Sequence, residues 1–142
     1  MIGLAVLLIA GGIMIGLRER EYKVLAGKLD MGWDFQVSPV KISASRPTLV
    51  PITITNTNSR EKTFNLQVVQ PWKLEEGYTA GYESLLSEYP NFVIVPANGH
   101  ATFEVVLTKH GNRQEIWLLI VEATDNQIRR EVAVRFLIGD SQ

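Results

Sequence analysis

The chain has no cysteine. Disulfides, thiolate catalysis and cysteine-based zinc or iron–sulfur sites are therefore excluded, although this leaves the compartment open. Histidine is almost as scarce. His100 and His110 are the only two, each beside a glycine in a turn-like stretch. A metal site needs three or four ligands, and no neighbouring His, Cys or Asp completes one around either. Catalytic signatures are also missing: there is no GxSxG elbow, Gly-rich phosphate loop or HExxH. The expectation is a protein that is not an enzyme and has no cofactor. Nor is there a surplus of positive charge. The formal net charge is −1, and from Leu29 onward ten Lys/Arg face thirteen Asp/Glu. A nucleic-acid partner would want a basic face.

What is present begins at the N-terminus. Ile2 to Leu17 (IGLAVLLIAGGIMIGL) carries no charge and no strongly polar side chain, and Arg18, Glu19, Arg20 and Glu21 follow it. A membrane-spanning helix needs about 20 apolar residues. Arg18 and Arg20 can snorkel to the headgroups. A helical continuation over Glu19–Lys28, with Tyr22 as interfacial anchor and Gly27 as stop, would supply the remaining length. The expected organisation is an N-terminal transmembrane helix with a charged juxtamembrane turn over 1–28, then one domain over 29–142. A secretory signal cleaved near Val24-Leu25-Ala26 is the competing reading, but it lacks a basic n-region and approaches its site through five charged residues. A buried core helix is the third. Gly12 and Gly16 form a GxxxG spacing that puts two glycines on one helix face, a candidate helix-packing surface. Lys and Arg after the helix would place the domain in the cytoplasm. Domains of the expected type on a single N-terminal anchor more often face outward, so the extracytoplasmic side is expected.

Beyond Leu29 the apolar period becomes two. Phe35 and Val37 alternate with polar residues, and after Pro39 so do Val40 and Ile42. The same pattern recurs at Val50, Ile52 and Ile54; at Phe64, Leu66 and Val68; at Phe103, Val105 and Leu107; and at Val132, Val134, Phe136 and Ile138. Turn-rich stretches separate them, notably Asn56–Ser59 and Pro96–Gly99. With Phe92–Val95 and Glu115–Thr124 this makes about seven short strands, and an all-β, immunoglobulin-like β-sandwich is the natural solution.

Two stretches carry a resemblance. LVPITITNTNSREKTFNLQVV and the later FVIVPANGHATFEVVLT resemble prokaryotic immunoglobulin-like and fibronectin-like modules of membrane and surface proteins. The likeness runs over roughly Val37 to Ile138. It implies a sandwich used as a spacer, adhesion module or complex subunit, and brings no active site with it.

Two places stand out as candidate partner-binding surfaces. The first is Pro71–Pro90 (PWKLEEGYTAGYESLLSEYP), long for a connection in a compact domain. Trp72, Tyr78 and Tyr82 are the anchors it offers to a protein or a sugar. A short helix capped by Thr79 is expected over Tyr82–Tyr89. The plainer alternative is a crossover whose aromatics plug one end of the sandwich. Its scattered glutamates match neither a calcium loop nor a glycosidase pair.

The second is the strand Ile116–Val121, apolar on both faces. With Trp117, Leu119 and Val121 taken as inward, Ile116, Leu118 and Ile120 would join Val69, Ala133 and Leu137 in an outward apolar patch, open to a partner or covered by the Pro71–Pro90 segment folding over it.

Together these features suggest an accessory or structural subunit of a larger membrane protein complex, partnered by the lipid bilayer and other membrane subunits. Two alternatives remain. One is a filament subunit built on copies of itself, similar in layout to archaeal flagellin-like and pilin-like chains. The other is a surface glycan- or protein-binding module.

Overall fold

The computed structural model describes residues 22–81, 85–108, 111–124 and 128–139. The apolar run with Gly12 and Gly16 lies outside these residues, as do Tyr82 and His110. Among the described residues no helix is long and apolar enough to cross a membrane.

Strands form where alternation lets one set of side chains leave water while the other stays in it. Eleven are described: β1 Tyr22–Ala26, β2 Phe35–Ser38, β3 Lys41–Ala44, β4 Thr48–Asn56, β5 Lys62–Val69, β6 Thr79–Ala80, β7 Leu86–Glu88, β8 Phe92–Val95, β9 Gly99–Leu107, β10 Gln114–Glu122 and β11 Glu131–Ile138. They make two sheets. The smaller has the order β2-β4-β9-β7; the larger runs β1-β3-β11-β10-β5-β8, with β6 paired parallel to β10. This is the expected all-β sandwich with more, shorter strands at its edges.

The first segments switch sheets. β2 pairs antiparallel with β4, whereas β3 pairs parallel with β11. Only Pro39 and Val40 separate β2 from β3. Proline cannot donate to a ladder, so it suits the point where the chain leaves one sheet for the other. Between the sheets lie Val50, Ile52, Ile54, Phe64, Leu66, Phe103, Val105, Leu107, Val132, Val134 and Phe136, all buried. Val68 packs at the margin.

One end of the core is closed by polar side chains. The Asn56 amide donates to the carbonyls of Arg60 (2.8 Å) and Pro96 (3.2 Å), while its oxygen accepts from the Asn58 N–H (2.9 Å). That knots together two turns that each carry the chain from one sheet to the other. Beside it, Lys62 bonds the buried Glu122 and lies 3.5 Å from Asp34. Trp33 stacks on Phe35 with centroids 5.4 Å apart, so it seals the base of the domain.

Three expectations are corrected here. Tyr22–Ala26 is a strand and not a helical continuation: Val24 lies opposite Ile42, and Tyr22 and Ala26 pack on the core while Lys23 and Leu25 point to solvent. The sandwich therefore takes in residues ahead of the 28/29 boundary. No helix covers the end of the Pro71–Pro90 segment, because Leu86–Glu88 is β7 and its neighbour is β9. The faces of β10 are also exchanged. Ile116, Leu118 and Ile120 belong to the core with no exposure, so they are not an outward docking patch; Trp117, Leu119 and Val121 lie on the outer face. The physical reason is register, since Trp117 stands opposite Arg135 and Leu118 opposite Val134.

This parity is open to test. Leu118→Ala should cost about 2–5 kcal/mol, the range for emptying a packed core site. Leu49→Ala, at a half-exposed position, should stay within about 0.5 kcal/mol. Denaturant unfolding of the full chain in mild detergent measures both. Equal small losses would mean that Leu118 does not face the core.

Candidate functional site

The outer face of β10 carries Glu115, Trp117, Leu119 and Val121, and that of β11 carries Ala133, Arg135 and Leu137. Lys41 of β3 lies opposite Arg135. After β5, the segment 71–81 turns back over these residues and acts as a strap.

Glu115 is the fixing point. It is wholly buried although it lies on an outer face. Its Oε1 accepts the backbone N–H of Glu75 (2.7 Å). Its Oε2 accepts from Trp117 Nε1 (2.5 Å) and Arg135 Nε (2.8 Å). Arg135 Nη2 continues to Glu75 Oε2 (2.9 Å), which also takes a bond from Lys41 Nζ (2.9 Å). A buried carboxylate is tolerable only when its lone pairs are matched this fully. Burial alone pushes the Glu115 carboxyl up, but the hydrogen bonds from Arg135, Trp117 and the Glu75 backbone outweigh it and hold it below the ordinary glutamate range. Glu75 is held low by Lys41 first and by Arg135 next. Arg135 loses by burial and gains more from Glu115, so it sits above its usual value.

The strap continues along β10. Thr79 N donates to Arg113 O (3.1 Å) and Gly81 N to Glu115 O (2.6 Å). Glycine suits this close approach, because a Cβ at Gly81 would fall 2.6 Å from Leu85 Cδ1 and 3.0 Å from the Glu115 carbonyl oxygen, so that the strap or Leu85 would have to shift. Tyr78 lies beneath the Arg113 guanidinium, 4.3 Å from its ring centroid.

Trp72 stands edge-on to Trp117 with centroids 4.5 Å apart, yet remains 71% exposed. Around it is an open hollow of about 430 Å³, lined by Trp72, Lys73, Leu74, Glu75, Glu76, Trp117 and Arg135. Of the candidate residues, the structure thus brings Trp72 and Tyr78 onto one strap and puts Ile116, Leu118 and Ile120 on the opposite side of the sheet. Glu115, Arg135, Lys41 and Trp117 enter the site although sequence reasoning did not place them there. One signal was present: Arg135 alternates with Val134 and Phe136, which marks it as outward. Among the described residues, no group of three or more His, Asp or Glu is placed to hold a metal ion. The arrangement pairs a fixed aromatic edge with both signs of charge, a surface suited to docking.

Lowered carboxyl values contribute stability that is complete above the unfolded-state pKa and lost as pH falls through the folded-state value. The strap should therefore hold at neutral pH and loosen below the ordinary glutamate range. Arg135→Leu strands Glu115 and should cost about 3–5 kcal/mol near pH 7. The loss should shrink at acid pH, where Glu115 can take up a proton. Unfolding followed by tryptophan fluorescence at neutral and acid pH tests this, and an equal loss at both would contradict it.

No protein-family model matches the chain, and no curated protein matches it in sequence. Solved structures do match in shape. A PapD-like domain of human CEP192 gives a TM-score of 0.57 at 9% identity, covering 77% of this chain and 85% of that one. The Caenorhabditis elegans MSP family member WR4 gives 0.52 at 14% identity, covering 74% and 97%. A chain of the Acinetobacter baumannii CsuC–CsuE chaperone–tip adhesion subunit complex gives 0.55 at 12% identity, over 72% of this chain and 55% of its own length. The architecture is therefore the all-β immunoglobulin-like fold shared by MSP and PapD-like domains.

Proposed function

We propose that the chain is a non-enzymatic, single-pass membrane protein whose sandwich serves as an accessory or structural subunit of a larger membrane protein complex. The apolar run Ile2–Leu17 is its anchor, the extracytoplasmic face is its side, and the Trp72 face of the larger sheet is where a partner subunit docks. The observation that carries this reading is Trp72 itself. A large aromatic side chain is held rigidly against Trp117 by a strap locked to a buried carboxylate, and most of its surface still meets water. Rigid exposed tryptophans are the typical anchors of protein interfaces, because little further ordering is needed on binding. The Arg135–Glu75–Lys41 ion pairs beside it supply a polar rim. A chain of similar shape occurs in the Acinetobacter chaperone–tip adhesion subunit pre-assembly complex, where one protein is held by another.

The test is extraction of the full chain in mild detergent, with identification of whatever travels with it. A defined set of other membrane proteins at fixed ratio is expected. Trp72→Ala should weaken that association by about 2 kcal/mol or more, roughly 30-fold, with unfolding behaviour close to that of the parent chain. Copurification unchanged by the substitution would remove Trp72 as the docking point. Recovery of the chain alone, or only with copies of itself, would overturn the subunit reading.

A further inference from the structure

The side of the sandwich closed by β1 carries a second exposed apolar surface. Leu25, Leu29 and Met31 are 44%, 55% and 44% exposed. They fall within seven residues, immediately after the apolar run and its charged turn. β1 is the terminal strand of the larger sheet. The connector that follows it ends at β2, the terminal strand of the smaller sheet, and just beyond β2 the Val40 N–H donates back to the Ala26 carbonyl at the end of β1 (3.0 Å). Leu25 points away from the core while its neighbours Val24 and Ala26 point toward it. Lys23 and Lys28 stand among these residues, and Asp30 is the one acid there, its carboxylate turned back onto the Gly32 N–H (2.9 Å).

We infer that this side of the domain lies on the bilayer interface, with Leu25, Leu29 and Met31 entering the headgroup region and Lys23 and Lys28 meeting lipid phosphates. The inference rests on the anchor reading above, and the length of the tether carries it. Tyr22 is five chain steps beyond Leu17, with four residues between them, and Leu25 is eight steps beyond it. At roughly 3.3–3.6 Å per residue, β1 begins at most about 18 Å from the end of the apolar run and Leu25 lies within about 29 Å. A domain tethered this closely meets the membrane with the edge at which the tether enters, and that edge carries these exposed apolar side chains. Apolar residues flanked by lysines suit the interface, where aliphatic groups enter the acyl boundary and ammonium groups remain with the phosphates.

The absence of cysteine makes the test direct, because any introduced cysteine is unique. Leu25→Cys, Leu29→Cys and Met31→Cys, with Leu49→Cys and Ile94→Cys as exposed controls on other surfaces, are each labelled with an environment-sensitive fluorophore. The full chain is then reconstituted in phosphatidylcholine–phosphatidylglycerol vesicles. The expected result is a blue shift and several-fold stronger quenching by lipid-borne nitroxide than by aqueous iodide at 25, 29 and 31, with the reverse at 49 and 94. Iodide quenching at all five positions, in a chain that alkaline extraction leaves in the vesicles, would overturn the inference and spare the anchor. Shielding of 25, 29 and 31 from both quenchers would mean that protein covers this side, and would overturn it too. Release of the chain by alkaline extraction would overturn the anchor, and the inference would fall with it.

Discussion

The outer face of the larger sheet depends on one buried charge. Glu115 has no contact with water, so each of its oxygens must be matched by a donor, and the donors come from three separate parts of the chain: the backbone of Glu75, the indole of Trp117 and the guanidinium of Arg135. Such a cluster contributes little net stability compared with an apolar filling of the same volume, because desolvation offsets most of the attraction. What it confers is geometry. The Glu75 N–H can reach Glu115 only if the strap lies directly over β10, and that places Trp72 against Trp117. Without the carboxylate, the segment after β5 would have no reason to choose one path across the sheet.

The strand that carries Glu115 also shows why the sequence resolves most of this fold and misreads one part. In β4, β5, β9 and β11 polar and apolar residues alternate, so each strand states its own orientation, and their inward residues are those the alternation selects. β10 makes no such statement. Ile116 to Val121 is apolar at every position, and a glutamate stands at each end, Glu115 on the outer face and Glu122 at the inward parity. Glu122 sits at the rim of the core because Lys62, inward on the neighbouring strand, neutralises it there. One glutamate argues for each orientation. Only pairing with β11, where Arg135 is visibly outward, decides between them.

A similar limit applies at β1 and at the strap. Glu19–Lys28 contains good helix formers, yet Tyr22, Val24 and Ala26 also alternate, and the open edge of β3 gives that weaker pattern a ladder to complete. Tertiary pairing outweighs local propensity when a strand edge is available. At the site, Trp72 and Tyr78 were legible because large aromatics in a long connection are conspicuous by themselves. The ion pairs that hold them were not. Lys41, Glu75 and Arg135 are separated by 34 and 60 positions, and only the sheet order brings them together.

That order also relates the two surfaces proposed for the domain. From β1 the larger sheet passes through β3 and β11 to β10. With strands about 4.8 Å apart, three steps separate the edge bearing Leu25 from the strand bearing Trp117 by roughly 15 Å. If the β1 side rests on the bilayer, the Trp72 face stands nearly upright beside it, within one small domain's breadth of the headgroups. A partner reaching Trp72 would then have to offer a surface close to the membrane, as the extramembrane loops of another membrane protein do. The short tether and the exposed tryptophan thus favour the same class of partner for separate physical reasons. One limits how far the domain can travel, and the other limits which of its faces is ready to bind.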